Sequence, residues 1–98
     1  MIVAEVSVVP LGEGTSVSRY VRLAVRELES RLKTFSGPMS TCVEAESLRE
    51  ILDAVEAAHQ AVVKAGAKRV VTTLKVDDRR DKEATMESKM KAVNVTGT

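Results

Sequence analysis

The sequence predicts an α+β protein in which two helices cover one face of an antiparallel sheet of four strands, in the order β-α-β-β-α-β. Three observations predict this class. Valine-rich segments with alternating polarity indicate a strand near each end of the chain, two segments of helical periodicity lie between them, and a Gly-Pro turn separates two short extended pieces in the middle. This order of elements is the ferredoxin-like two-layer sandwich.

The first strand is IVAEVSVVP, which Pro10 ends. One face of this strand carries Ile2, Ala4, Val6 and Val8. The other face carries Val3, Glu5, Ser7 and Val9. The glycine turn LGEGTS follows and leaves Thr15 or Ser16 as the N-cap of a helix predicted over residues 16–32. A plain turn is favoured over an anion-binding loop here, because the Lys-Ser/Thr pair of a P-loop is missing.

The middle of the chain predicts a hairpin followed by the second helix. The segment KTFSGPMSTCVEAE is interpreted as an irregular hairpin that turns at Gly37-Pro38. Ser47 and Glu50 then form a Ser-x-x-Glu capping box ahead of an apolar stripe. The stripe predicts a helix over residues 47–65, and Gly66 stands where a C-terminal cap belongs.

The last long strand is AKRVVTTLKVDD. One face of this strand carries Val70, Thr72, Leu74 and Val76, and the other carries Arg69, Val71, Thr73, Lys75 and Asp77. Met86, Met90 and Val93 then mark a short amphipathic segment, and the polar end NVTGT is expected to be disordered. We therefore expect one domain over residues 1–93 and a disordered tail over residues 94–98.

The composition excludes several classes of function. A net charge of +1 predicts no affinity for nucleic acid or for an anionic membrane, and two aromatic residues, Tyr20 and Phe35, are too few for a sheet that stacks on RNA bases. Cys42 is the only cysteine, so neither an internal disulfide nor a thiolate metal site is expected. We see no signal peptide, no membrane-spanning segment and no nucleophile–base arrangement. The expectation is a cytoplasmic protein without catalytic activity or cofactor.

The sheet face opposite the helices is predicted to have no cover of its own. The first and last strands are neighbours in this topology, so Glu5, Ser7, Thr73 and Lys75 should lie close together on that face. Glu5 and Lys75 are interpreted equally well as site residues or as a cross-strand ion pair. Valines on the same face, together with the small core of a short chain, favour association with further copies of the chain.

The last strand ends in a cluster of charge, DDRRDK. Lys75 and Asp77 share the open face, whereas Arg79 and Arg80 follow the strand, within reach of acidic groups on a neighbouring subunit. A solvated turn and direct contact with a ligand are the alternatives. The predicted subunit contacts are Val71, Asp77, Arg79 and Arg80.

Three segments carry a resemblance to a known family: EVSVVPLGEGTSVSRYV, GPMSTCVE and AHQAVVKAGAKRVVTTLKVDDRRDK. In this order they resemble the YkoF-like thiamine-binding family, small ferredoxin-like proteins of archaea, bacteria and fungi, over residues 2–93. Ser40 stands where the family pattern Pro-Met-Gly-Thr has glycine. The resemblance implies non-enzymatic binding of thiamine or its hydroxymethylpyrimidine moiety, and assembly through open sheet faces as a homodimer or a dimer of dimers.

The candidate ligand site lies on or beside the open sheet face. Its six residues are Glu5, Ser7, Thr41, Glu44, Thr73 and Lys75. Thr41 and Glu44 come from the family pattern, and their opposite strand parity means that one of them should not contact the ligand directly. A carboxylate can accept from the amino group of the pyrimidine, and a hydroxyl can satisfy a ring nitrogen. The alternative function is a structural or regulatory oligomer with no thiamine role.

Overall fold

The structure of the protein is a computed structural model that describes residues 1–94. Its elements are β1 (Ile2–Pro10), α1 (Ser18–Glu29), β2 (Lys33–Ser36), β3 (Thr41–Ala45), α2 (Leu48–Lys64), β4 (Val70–Asp77) and α3 (Met86–Val93). The strands form one antiparallel sheet in the order β2-β3-β1-β4. The α+β class is confirmed, whereas the predicted order of six elements is not met in full, because α3 follows β4. Apart from Asn94, the predicted disordered tail lies outside the described residues.

The main core lies between one face of the sheet and the helices α1 and α2. The even-numbered residues of β1 enter this core, as strand alternation predicts. The largest side chains that are fully buried are Leu28, Ile51, Val6, Val43 and Val62. Burial of this apolar layer fixes the register of the sheet, since a slip by one residue would turn β1 over and expose it.

The first helix is shorter than predicted at both ends. Val17 is its N-cap and provides no side-chain hydrogen bond, so the predicted cap at Thr15 or Ser16 is wrong. The two glycines of the preceding turn have positive φ angles of 83° and 87°, and the connection continues beyond them as far as Ser16. At the other end the N–H of Leu32 donates to the carbonyl of Leu28 (2.8 Å), in a turn that leads directly into β2.

The second helix begins and ends where the sequence indicates. The Ser47 hydroxyl accepts from the N–H of Glu50 at 3.2 Å, which confirms the predicted N-cap. Gly66 follows the C-cap with φ at 110°, a left-handed conformation that favours glycine. On the face toward the sheet, Nδ1 of His59 lies 2.7 Å from Oγ1 of Thr72 and so joins α2 to β4.

The third helix packs against the sheet face opposite α1 and α2. Met86 and Met90 line one apolar hollow together with Val3, Phe35 and Cys42. The expectation that this face has no cover is therefore wrong for its β2–β3 side. None of the helices within residues 1–94 combines the length and the apolar character needed to cross a membrane.

Candidate functional site

The part of the open face that α3 leaves uncovered carries a strip of polar side chains on β1 and β4. Glu5 is paired directly with Lys75, and Ser7 is paired directly with Thr73. These four residues lie close together, as strand parity predicts. We call them the polar strip; it combines a carboxylate, an amine and two hydroxyls on one rigid surface.

The carboxylate of Glu5 is exposed and is held by a serine from the hairpin. Its Oε2 accepts a hydrogen bond from Oγ of Ser40 at 2.8 Å. At this position the family that the sequence resembles is expected to have glycine, which has no hydroxyl to donate. Among the described residues no ion pair joins Glu5 to Lys75 within 4.0 Å. The cross-strand ion pair considered from the sequence is therefore absent from this structure.

Thr41 and Glu44 point to opposite faces of the sheet, as their parity predicts. Thr41 is paired with Val6 on the helix-covered face and is 6% exposed. Glu44 has the parity of the open face but is 5% exposed, because α3 lies over it. Its Oε1 accepts from the N–H of Met86, the first residue of α3, at 2.8 Å. Neither residue therefore belongs to the polar strip, and the carboxylate of Glu44 serves to hold α3.

A recess of about 160 Å³ opens beside the polar strip, between the hairpin, α1 and the last part of β1. Ser7 and Thr41 are the two predicted site residues that line it, and Ser40 lines it as well. Its apolar wall includes Val21 and Val25 of α1. Ordinary ligand pockets measure roughly 300–1,000 Å³, so this recess has room for a single ring rather than for a large ligand.

Ser7 and Ser40 connect the recess to the polar strip. Ser7 belongs to the strip and also lines the recess, and Ser40 lines the recess while donating to Glu5. A ligand that extends from the recess past Ser40 would reach the carboxylate of Glu5. The arrangement suits a molecule that joins a polar heterocycle to a cationic group.

The charged end of β4 is paired within the chain. Nε of Arg79 lies 3.0 Å from Oδ1 of Asp81, and Nε of Arg80 lies 3.0 Å from Oδ2 of Asp78. The hydrogen bond from Arg79 lowers the pKa of Asp81 and raises that of the guanidinium. Asp77 pairs with Lys89 of α3. Contact of these residues with a second subunit stays a prediction. Such a contact would have to replace the ion pairs that these residues make within the chain.

The described residues contain no candidate metal centre. Within residues 1–94 no group of three or more His, Cys, Asp or Glu side chains could hold a metal ion. Cys42 is half-buried, in the hollow beneath α3. The polar strip and the recess are therefore the features from which we argue function.

The fold and these two features define a small α+β protein with a polar strip on the open face of its sheet and a ring-sized recess at the neighbouring edge of β1, between the hairpin and α1. The model of the thiamine-binding protein family matches residues 4–94, and the chain belongs to that family. The resemblance seen in the sequence is thus confirmed.

Relatives and solved structures agree with this assignment. The UPF0045 protein of Methanothermobacter thermautotrophicus is 47% identical over 95 residues, which is 95% of this chain and 96% of the relative. The crystal structure of a hypothetical protein from Methanocaldococcus jannaschii is 46% identical, covers 94% of each chain and superimposes with a TM-score of 0.88. A Thermotoga maritima protein assigned provisionally to thiamine biosynthesis or salvage is 28% identical, with a TM-score of 0.81 over 95% of this chain and 98% of that one.

Proposed function

We propose that the protein binds thiamine or its hydroxymethylpyrimidine moiety without catalysing a reaction on it, as a homo-oligomer joined through the uncovered part of the sheet face. Membership of the thiamine-binding family supports the class of ligand. The observation that carries the proposal is the exposed carboxylate of Glu5, which Ser40 holds beside a ring-sized recess.

The chemistry of thiamine matches this surface. Thiamine joins an aminopyrimidine, which has both donors and acceptors on its edge, to a cationic thiazolium. The carboxylate of Glu5 accepts from an amino group or attracts the cation, and the hydroxyls of Ser7 and Thr73 serve either as donors or as acceptors. Lys75 on the opposite strand adds a positive charge at the far side of the strip, which suits a phosphate ester of the ligand.

The direct test is calorimetric titration of the protein with thiamine, with its mono- and diphosphate, and with hydroxymethylpyrimidine. We expect saturable binding of thiamine and of hydroxymethylpyrimidine. Absence of heat and of any change in the protein's NMR spectrum with all four compounds would refute the proposed function.

Replacing Glu5 by glutamine is expected to weaken thiamine binding about 5- to 150-fold, because the ligand would lose a contact of roughly 1–3 kcal/mol with a carboxylate that it covers on binding. The measurement is the dissociation constant by calorimetry, at a protein concentration where wild type and variant have the same mass. Arg80→Gln is the control, since Arg80 is exposed and pairs with Asp78 away from the strip. Equal affinity of wild type and Glu5→Gln would remove Glu5 from the site.

The assembly is tested separately by replacing Val71 with aspartate. Val71 is 45% exposed, is paired with Val9 on the open face, and would bring an unpaired charge into a sheet-face contact. We expect wild type to have the mass of a dimer or a tetramer in light scattering at micromolar concentration, and Val71→Asp to have a lower mass. Val63→Asp is a matched control, because Val63 is 41% exposed but lies on α2. A monomeric wild type would contradict this prediction.

The exposed valines of the sheet face also favour the second candidate, a structural or regulatory oligomer without a thiamine role. The two candidates differ in a simple way. The structural oligomer would keep its assembled mass and would bind none of the four thiamine compounds.

A further inference from the structure

The last part of β1 has a free edge on the side of the recess. β3 begins at Thr41, which is paired with Val6, so the residues of β1 after Val6 have no partner in β3. On its other side β1 remains paired with β4 as far as Pro10. The main chain from Ser7 to Val9 therefore borders the recess along one edge.

The direction of the main-chain groups along this edge follows from one hydrogen bond. The N–H of Leu11 donates to the carbonyl of Arg69 at 2.8 Å, at the end of the β1–β4 ladder. In an antiparallel strand the N–H and C=O of one residue point to the same side, and successive residues alternate. The odd-numbered residues of β1 therefore bond to β4, and the even-numbered ones point toward β3. Pro10 fits this assignment, because it has no N–H to give to β4.

Val8 is thus left with a main-chain donor and a main-chain acceptor that both face the recess. No hydrogen bond within residues 1–94 involves either group outside the sheet ladder, and Val8 has no counterpart in β3. Val8 is only 5% exposed. Its side chain is in the core, whereas its main-chain groups border the recess. Main-chain donors and acceptors in folded proteins are normally paired, so this unpaired donor and acceptor are available to a ligand.

We propose that the N–H and C=O of Val8 form the recognition element for the ring that enters the recess. A ring nitrogen accepts from the N–H of Val8, and an exocyclic amine next to that nitrogen donates to the C=O. This inference rests on the proposed function, since the 4-aminopyrimidine of thiamine carries an acceptor and a donor side by side. The apolar wall at Val21 and Val25 packs against the face of the ring.

The free edge suits a small ring better than an added strand. A strand from another protein needs donor–acceptor pairs that recur along the edge. Here Val6 is already bonded to β3, and Pro10 lacks an N–H, so Val8 alone offers a complete pair. Recognition at this edge is therefore limited to two hydrogen bonds, one to the N–H and one to the C=O of Val8. A heterocycle with an adjacent acceptor and donor can make both.

Oxythiamine, the 4-oxo analogue of thiamine, tests this contact from the side of the ligand. Its ring carries N–H next to C=O, so its pattern of donor and acceptor is reversed and opposes both groups of Val8. We expect oxythiamine to bind more weakly than thiamine by about 5- to 150-fold for each unmet group. Equal affinity for the two compounds would overturn the inference while leaving the proposed function intact.

Amide signals in the NMR spectrum locate the contact on the protein. The N–H of Val8 is expected to exchange quickly with solvent in the free protein and to become protected and shifted when hydroxymethylpyrimidine is added. The N–H of Val6, which is bonded to β3, serves as the internal reference that should be protected in both states. Binding of the pyrimidine with an unchanged Val8 amide would overturn the inference. Protection of Val8 that rises with protein concentration alone would also overturn it, because a second copy would then occupy the edge.

A pair of tryptophan variants tests the position of the recess. Val21→Trp fills the recess from an exposed turn of α1, whereas Val63→Trp adds the same side chain on α2 away from it. We expect the first variant to weaken binding of hydroxymethylpyrimidine about 10-fold or more, and the second to leave it within about twofold. Equal affinities of the two variants would place the ring elsewhere. If neither thiamine nor the pyrimidine binds wild type, the proposed function and this inference fail together.

Discussion

Replacing Leu28 by alanine is expected to lower the free energy of unfolding by about 2–5 kcal/mol, because Leu28 is among the largest side chains that are fully buried in the core. Leu28 is 1% exposed and lies where α1 packs on the sheet, behind the recess. The loss combines the transfer of the removed side-chain atoms to water with the cavity that they leave. Urea denaturation followed by circular dichroism measures it as a shift of the midpoint.

Leu52→Ala is the matched control for this substitution. Leu52 is the same residue type in a helix, but it is 36% exposed, so its removal should destabilise the protein by less than about 1 kcal/mol. A change of similar size in both variants would mean that Leu28 is less well packed than its burial indicates.

Replacing Glu44 by alanine is expected to detach α3 from the sheet. Glu44 is buried, and it is the carboxylate that accepts from the first N–H of α3. A hydrogen bond to a charged group contributes about 1.5–3 kcal/mol, and the negative charge also favours a helix N-terminus. Amide hydrogen exchange across residues 86–93 should rise in the variant, while exchange in α2 should stay slow.

The neighbouring carboxylate supplies the control for Glu44→Ala. Glu46 is exposed just beyond the end of β3, so Glu46→Ala should leave exchange in α3 unchanged. Protection of α3 that persists in Glu44→Ala would show that the contacts of Met86 and Met90 are sufficient to hold the helix.

The parts of the fold that follow from local patterns were predictable from the sequence. Alternation along β1 and β4, together with the predicted topology, was enough to place Glu5, Ser7, Thr73 and Lys75 close together on one face. The register that pairs Glu5 with Lys75 and Ser7 with Thr73 is seen only in the structure. Ser47 and Gly66 marked the two ends of α2, because a capping hydroxyl and a left-handed glycine act within a few residues of their own position. The same reasoning gave the wrong start for the first helix, because the hydroxyls of Thr15 and Ser16 lie before its N-cap, Val17.

The parts of the site that depend on contacts between distant segments were not predictable. Met86 and Met90 have the spacing of one helix face, but nothing in that spacing identifies the sheet face on which they pack. The role of Glu44 therefore changed from a candidate ligand contact to an anchor for α3 once the helix was placed. The recess depends on where β3 begins relative to β1, and the only local sign of a free edge was Pro10.

Because α3 packs on one side of the open face, a ligand or a subunit would bind the two sides with different free energies. A molecule that binds beside Val71 meets a surface that is already uncovered. A molecule can bind over Phe35 and Cys42 only when α3 has dissociated from the sheet. Its apparent affinity is therefore its intrinsic affinity multiplied by the fraction of protein molecules in which α3 is dissociated. If docking of the helix is favourable by about 2 kcal/mol, that reduction is about 30-fold. Helix α3 thus competes with ligands and subunits for the β2–β3 side of the open face, and the β1–β4 side is the one that they can bind without displacing it.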